Sequence, residues 1–355
     1  MALILLTGGG TGGHVYPNIA LVPALERLGY DVEYGGAEGD AAEARIARLY
    51  GLDYRGVPCV KLVRSAKPYA LKNNIAIPRI LSRGKAAATE ILRRDRPSLV
   101  FSKGGFAALP YVLAAAELGI PVICHESDST LGLSNRIARL KGAKVLTAFP
   151  SASFGEFVGM PIREELMCRD RLKSRAALGI AAGEKVLLAV GGSSGADALN
   201  KALAAVLPSL TGICTVVHVT GRGKQIALPA ASPRYKPLEY ADDMGSLYAA
   251  CDAVLSRAGA TAVAEISALG KRAVFVPLPK GVSRGDQLPN ARLAESYGAF
   301  VLPQDENLAH KLYPVIKRAF DAPPMRRIAD DANGKIARLI DDTIRRGVKC
   351  KDKKR

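Results

Sequence analysis

The chain has no tryptophan, only 6% aromatic residues and only four histidines among 355 residues. Its six cysteines are scattered and form no C-x-x-C pair. With neither clustered histidines nor paired cysteines, no zinc-binding spacing can be read. The shortage of aromatics, with no basic–aromatic motif, argues against a nucleic-acid-binding protein, which would stack bases on such rings. No D-x-D carboxylate pair of the kind that holds a nucleotide-bound metal is present, so no metal and no cofactor is expected. No apolar run approaches the ~18–20 residues a membrane-spanning helix needs. The apolar opening Ala2-Leu3-Ile4-Leu5-Leu6 is too short for a signal-peptide core and has no basic segment before it. It reads as a first strand of a cytoplasmic protein.

What the chain does have is length, apolar content and positive charge. A chain of 355 residues suggests two domains, and 48% hydrophobic residues give each a full core. The net charge of +17 attracts polyanions such as anionic lipid or phosphorylated substrate. Two stretches carry 14 of those charges: residues 60–97, with ten Lys/Arg against two acids, and residues 345–355, with seven against Asp352. In the first, Leu71, Ile75, Ile77, Ile80 and Leu81 interleave with Lys67, Lys72, Arg79, Arg83 and Lys85. This is the pattern of an interfacial membrane patch, here Leu71, Lys72, Ile75, Arg79 and Arg83. A solvated basic helix covering a sheet has the same pattern.

Short apolar segments alternate with helical ones, which predicts an α/β protein with parallel sheets covered on both faces. Leu3–Leu6, Val32–Tyr34, Leu99–Phe101 and Val122–Cys124 read as strands of the first half. A helix is expected from about Pro17 to Leu28, ended by Gly29. The second half repeats the scheme, with strands at Val186–Val190, Val216–Val219, Ala253–Leu255 and Ala273–Val276, and a helix from about Ala196 to Val206. Each half opens strand, glycine loop, helix. The domain boundary falls in the Pro/Gly-bearing stretch Phe149–Pro161.

The first loop, Gly8-Gly9-Gly10-Thr11-Gly12-Gly13-His14, contains G-x-G-x-x-G. Glycines after a strand let backbone approach a phosphate at a helix N-terminus. A dinucleotide site would also want an acid at the end of the second strand. Val32-Glu33-Tyr34 instead runs into Gly35-Gly36, which disfavours a dehydrogenase. His14 heads the following helix at a ligand-facing loop. Ser102-Lys103-Gly104-Gly105-Phe106 is either an anion- or sugar-facing loop or an ordinary tight turn. His125-Glu126-Ser127-Asp128 puts an imidazole and two carboxylates at a strand's end, fit for acid–base work, although Asp128 or Ser129 would also suit as a cap of the next helix. His14, Glu126 and Asp128 are the candidate catalytic groups. The imidazole has the intrinsic pKa closest to working pH, whereas the carboxylates would need raising.

In the second half, Gly192-Ser193-Ser194-Gly195 reads as a phosphate loop. Ser256-Arg257-Ala258-Gly259-Ala260-Thr261 leads a helix carrying Glu265, placed to accept both vicinal hydroxyls of a ribose. Asp286, Gln287 and Asn290 are the residue types that bind sugar hydroxyls.

Gly9–Pro17, His125–Asp128, Val158–Arg163, Gly191–Ala196 and Ala258–Glu265 together resemble, in order, the motifs of the MurG family, membrane-associated N-acetylglucosaminyltransferases of peptidoglycan synthesis. The resemblance covers about residues 3–320. It implies a GT-B fold: two doubly wound Rossmann-like domains facing a central cleft. The expected organisation is 1–157 as an acceptor- and membrane-facing domain and 158–338 as a UDP-sugar domain. Residues 339–355 would form a helix packing back on the first domain, followed by a basic tail. The implied reaction is inverting transfer of N-acetylglucosamine from UDP-N-acetylglucosamine to the 4-hydroxyl of the muramyl sugar of lipid I, giving lipid II at the cytoplasmic face of the plasma membrane. Other cell-wall synthesis proteins are implied partners, and nucleic acid is not. Carried over by position, Thr11, Gly12 and Gly13 line the donor site, and Arg163 and Ser193 contact the donor. Ala241 lies near the uracil. Ala260, Thr261, Ala262, Val263, Ala264 and Glu265 hold the α-phosphate and ribose, and Gln287 and Asn290 belong to the sugar-binding motif. Asp128 and Met160 stand where many members have Asn, and Ala241 where a larger aliphatic residue is common. Rival readings are a transferase with another acceptor and a UDP-N-acetylglucosamine epimerase.

Overall fold

In the computed structural model, residues 2–10, 12–61, 74–192, 195–224, 232–279 and 286–352 are described. The chain divides into two units, Met1–Arg163 with Asp331–Arg355, and Glu164–Asp330.

The first unit is built on seven parallel strands: β1 (Ala2–Thr7), β2 (Tyr30–Ala37), β3 (Asp53–Val57), β4 (Leu99–Ser102), β5 (Val122–Glu126), β6 (Lys144–Thr147) and β7 (Glu156–Phe157). They lie in the order β3-β2-β1-β4-β5-β6-β7. Successive side chains of a strand point to opposite faces. Ile4 and Leu6 of β1, with Leu99 and Phe101 of β4, therefore join one core. Leu5 and Val100 join another on the far face. Helices α1 (Gly12–Ile19), α2 (Val22–Arg27) and α3 (Ala42–Leu49) contribute to the first core. Helices α4 (Ile77–Asp95) and α5 (Leu109–Glu117) cover the second, with Ala88 and Leu92 facing Tyr111, Ala114 and Ala115. A further helix, α6 (Leu133–Leu140), follows β5.

The single helix expected over Pro17–Leu28 is two helices, and it begins earlier. Pro23 has no N–H to donate to the carbonyl of Ile19, so the chain breaks after Ile19 and restarts as α2 with proline in its first turn. Starting at Gly12 puts His14 inside the first turn of α1.

The second unit starts with α7 (Glu164–Met167) and α8 (Arg171–Ala177) and has six parallel strands: β8 (Val186–Val190), β9 (Thr215–Val219), β10 (Tyr235–Leu238), β11 (Ala253–Ser256), β12 (Arg272–Phe275) and β13 (Phe300–Val301). Their order is β10-β9-β8-β11-β12-β13, so the first six strands of unit 1 and the six of unit 2 share one winding. Its helices are α9 (Asp197–Thr211), α10 (Met244–Ala250), α11 (Ala260–Ala268), α12 (Gln287–Ser296) and α13 (Leu308–Asp321). Leu199, Leu203, Leu207 and Leu210 of α9 pack with Leu308, Leu312, Ile316 and Phe320 of α13 over β8 and β11.

The unit boundaries differ from those expected at 157/158 and 338/339. Val158 stays in the core of unit 1. Asn333 binds both polar groups of Ile162: its Oδ1 accepts from the Ile162 N–H at 3.0 Å and its Nδ2 donates to the Ile162 carbonyl at 2.8 Å. The same amide donates to the Ala20 carbonyl at 3.0 Å. The return to unit 1 thus begins at Asp331, and α14 (Ala332–Asp352) lays Ile336, Ala337, Ile340 and Ile344 on the first core. Their near-fourfold spacing forms one helical stripe.

Unit 2 contains a buried guanidinium that sequence patterning does not reveal. Arg175 is 1% exposed. It donates to the carbonyls of Ala250 (3.0 Å), Glu184 (2.8 Å) and Ala182, and to Asp252 Oδ2 at 2.8 Å. Asp252 in turn accepts from the Val186 N–H at 2.8 Å, so this pair ties α8 to the start of β8. Removing one member of a buried charge network strands the other polar groups. Arg175→Met should therefore destabilise unit 2 by about 3 kcal/mol. A urea midpoint that moves by less than about 1 kcal/mol equivalent would contradict this.

Candidate functional site

In a doubly wound sheet, ligands sit beyond the carboxyl ends of the strands where the winding reverses. That place lies between β1 and β4 in unit 1 and between β8 and β11 in unit 2.

In unit 1 the β1 loop is pinned from three sides. Asn18 Nδ2 donates to the Thr7 carbonyl at 3.1 Å, Tyr34 OH donates to the Gly8 carbonyl at 2.8 Å, and Glu43 Oε2 accepts from the Gly10 N–H at 3.2 Å. Gly105, at φ +82°, lies so close to this loop that a Cβ would come within 2.5 Å of the Gly9 carbonyl oxygen. Only glycine fits there. Thr11 lies outside the described residues; Gly12 and Gly13 open α1.

His14 is half-buried, and its Nδ1 lies 3.1 Å from the carbonyl oxygen of Lys103. A carbonyl only accepts, so Nδ1 carries the proton and neutral His14 keeps its lone pair on Nε2. The Lys103 side chain runs the other way, into the protein, and is 1% exposed. Its Nζ donates to Nδ1 of His125, to Ser127 Oγ at 2.7 Å and to Met160 Sδ at 3.7 Å. Nε2 of His125 donates to the Gly159 carbonyl at 2.8 Å, so one tautomer serves both contacts. All three acceptors of the ammonium are uncharged. Burial pushes Lys103 down to about 7, against the opposing pull of Glu126 and Asp128. Burial, then Lys103, also holds His125 well below the ordinary imidazole range, so it stays neutral.

Glu126 is 4% exposed and fully engaged. It accepts from the N–H groups of Ser127 (3.0 Å), Asp128 (3.2 Å) and Gly132 (2.9 Å) and from Asn135 Nδ2 (2.9 Å). The helix-capping role weighed for Asp128 and Ser129 is not realised. The N-cap of α6 is Gly132, with no side-chain cap, and Glu126 receives its N–H. Asp128 is half-buried beside this loop. Arg163 belongs to unit 1: its Nη1 donates to Tyr50 OH at 3.1 Å and its guanidinium lies 4.3 Å from the Tyr16 ring centroid. Glu43, Asn18 and Tyr34 were not singled out from sequence, and Lys103 only as part of the 102–106 loop. The only signal for Lys103 was its place between a strand and two glycines.

In unit 2, Gly191, Gly192 and Gly195 frame the loop after β8; Ser193 lies outside the described residues. Helix α11 begins at Ala260, behind Gly259 at its N-cap, which has no side chain to cap it. Its first-turn amides, with Thr261 and Ala262 half-buried and Val263 and Ala264 buried, form the amino end of a helix dipole. One turn in, Glu265 Oε2 accepts from Tyr248 OH at 3.3 Å. Ala241 is half-buried in the loop before α10. On the other side, Gln287 Oε1 accepts from the Leu278 N–H at 3.0 Å, and Asn290 Nδ2 donates to the Ala258 carbonyl at 3.2 Å. A cavity of about 440 Å³ is lined by the glycine loop, Lys224, Arg257, Gln287 and Gln304. It collects the expected glycine loop and Gln287 with Lys224 and Gln304, which sequence reading missed.

Two doubly wound parallel domains, each with a glycine loop at its winding reversal and one with Gly259 before a helix that carries Glu265, form the GT-B fold of glycosyltransferases. Residues 4–147 match the glycosyltransferase family 28 N-terminal domain and residues 186–344 the family 28 C-terminal domain. The chain belongs to glycosyltransferase family 28, among the MurG-type N-acetylglucosaminyltransferases. It is 37% identical over 328 residues, covering 90% of this chain and 91% of the relative, to the UDP-N-acetylglucosamine–N-acetylmuramyl-(pentapeptide) pyrophosphoryl-undecaprenol N-acetylglucosamine transferase of Lachnospira eligens. The protein of that name from Geobacillus kaustophilus is also 37% identical, with 90% of each chain covered. The crystal structure of Acinetobacter baumannii MurG superposes with a TM-score of 0.73 at 26% identity, covering 96% of this chain and all of that one. A putative UDP-N-acetylglucosamine 2-epimerase from Listeria monocytogenes shares the fold alone, at 13% identity and a TM-score of 0.65.

The buried Lys103 has a measurable consequence. Its folded pKa is lowered, so between about 7 and its ordinary 10.5 the unfolded chain binds more protons than the folded one. This residue's contribution to stability therefore rises with pH across that window and is smallest below it. Lys103→Met removes the dependence. The stability of wild type measured relative to the variant should rise by a few kcal/mol from pH 7 toward pH 10 in urea titrations. A pH-independent difference would show that the amine is not buried as described.

Proposed function

We propose that the protein transfers N-acetylglucosamine from UDP-N-acetylglucosamine to the 4-hydroxyl of the muramyl sugar of lipid I, with inversion, forming lipid II. The observation that carries this reading is the unit 2 site: glycine loop, α11 N-terminus behind Gly259 and Glu265 follow in the order a nucleoside diphosphate needs. The substrates in the names of the relatives fit that order.

In the proposed step, His14 Nε2 takes the proton of the acceptor hydroxyl as its oxygen attacks C1 of the donor sugar. The bond from C1 to the β-phosphate oxygen breaks, and UDP leaves with the electron pair. The Lys103 carbonyl holds the imidazole in the tautomer this requires. Glu126, bound by four donors, organises the loop and does not exchange the proton; Asp128 is the next candidate. The α11 amides and the glycine loop stabilise the leaving diphosphate as preorganised donors. Glu265 takes the ribose hydroxyls, and Gln287 and Asn290 serve the sugar. Unit 1 is assigned the acceptor and unit 2 the donor.

A membrane surface is the proposed source of the acceptor. Gly84, Ala88 and Leu92 form the buried stripe of α4. Arg79 and Arg83 are exposed, and Ile75 just before the helix is 72% exposed. Leu71 and Lys72 lie outside the described residues. Among the described residues no helix is long and apolar enough to cross a membrane. A peripheral position on the cytoplasmic face, with anionic lipid under α4, fits an acceptor that is itself lipid-linked. Contact with other cell-wall synthesis proteins would follow from the same location.

The test of the reaction is transfer of label from UDP-N-acetylglucosamine to a short-chain lipid I analogue, with and without chelator. Label in the lipid is the expected result. UDP release or epimerised sugar without acceptor would overturn the reading. In that assay His14→Ala should lower turnover at least ~10²-fold, and a loss below tenfold would remove it as base. For the membrane contact, Arg79→Glu with Arg83→Glu should weaken co-sedimentation with anionic vesicles at least ~10-fold at low salt. Unchanged binding would remove α4 from the interface.

A further inference from the structure

Two residues that line the unit 2 cavity carry buried polar atoms that have no partner among the described residues. Arg257 is 6% exposed and donates from Nη1 to the Val276 carbonyl at 2.9 Å, yet its buried Nε has no partner among the described residues. The buried Oε1 of Gln304, on the loop after β13, also has none. Both residues line the same 440 Å³ cavity. A buried polar atom left unmade costs as much as a lost hydrogen bond, so each marks a position for a ligand atom of the opposite kind. The guanidinium N–H wants an acceptor, and the amide oxygen wants a donor. A phosphate offers only acceptors. The partner of Gln304 must therefore be a hydroxyl or an amide N–H.

The sheet order indicates which end of the donor supplies it. The strands run β10-β9-β8-β11-β12-β13. Glu265 bonds to Tyr248 of α10, the helix that follows β10, which places the nucleoside end on that side. The α11 N-terminus and the glycine loop, at the β8/β11 reversal, take the diphosphate. Gln287 and Gln304 follow β12 and β13, beyond the diphosphate, where the hexose must lie.

We infer that Gln304 is a specificity-determining residue of the donor site: its side-chain oxygen accepts a hydrogen bond from a hydroxyl or the acetamido N–H of the transferred sugar. The inference rests on the nucleotide-sugar reading above and adds to it a contact on the sugar side. Glutamate at this position keeps an acceptor of the same length, whereas leucine keeps the volume and loses the acceptor.

The experiment is calorimetric titration of the full chain with UDP and, separately, with UDP-N-acetylglucosamine. Wild type, Gln304→Leu and Gln304→Glu are compared, with melting curves to establish folding. The expected result is UDP affinity within twofold in all three proteins. UDP-N-acetylglucosamine affinity should fall about tenfold in Gln304→Leu, one neutral hydrogen bond's worth, and recover to within about threefold in Gln304→Glu. A leucine variant that keeps its sugar-nucleotide affinity, or loses both ligands equally, overturns the assignment. Wild-type protein that binds neither ligand overturns the nucleotide-sugar reading itself, and the assignment with it.

Discussion

The two glycine loops, with the helix amino ends beside them, depend on the reversal of winding in a parallel sheet. When all strands run one way, their carboxyl ends share one edge and the amino ends of the following helices point to it. Where the connections part in opposite directions, between β1 and β4 and between β8 and β11, no crossover covers that edge. Backbone amides and loop side chains are then left to meet a ligand. The strands must be apolar on both faces to support this, as β1 is, with Ile4 and Leu6 in one core and Leu5 in another.

Within that frame, unit 1 couples its candidate groups through a single residue. Lys103 offers its carbonyl to His14 and its ammonium to His125, Ser127 and Met160. The residue that orients the proposed base is thus also the residue that joins the β4, β5 and 159–160 loops. Its burial is tolerated because every N–H has an acceptor and because Glu126 and Asp128 lie near enough to oppose the loss of charge. Glu126 complements it, drawing three N–H groups of its own loop and the Asn135 amide of α6 onto one carboxylate.

Eight of the thirteen described strands, the glycine loops and the place of His14 at a helix start were legible in the sequence because each depends on near neighbours: apolar runs and punctuating glycines. The roles of Lys103, Glu43 and Arg175 were not, because their partners lie far along the chain; Lys103 meets His125 across 22 positions and Arg175 meets Asp252 across 77. Asp128 illustrates the same limit at short range. Its residue type suits an N-cap, but Glu126 reaches the Gly132 N–H instead, a choice made by backbone direction after β5. The unit boundary moved for a comparable reason: Asn333 and Ile162 are 171 positions apart, and nothing local marks either as a staple.

The return of α14 to the first core also orders events during synthesis. Unit 2 is a continuous segment, Glu164–Asp330, inserted into a unit whose closing element, α14, follows it in the chain. Unit 1 is therefore completed only after unit 2. Until Ile336, Ile340 and Ile344 emerge, the apolar face formed with Leu21, Leu25 and Tyr30 is short of its cover, while unit 2 already has everything its own core requires.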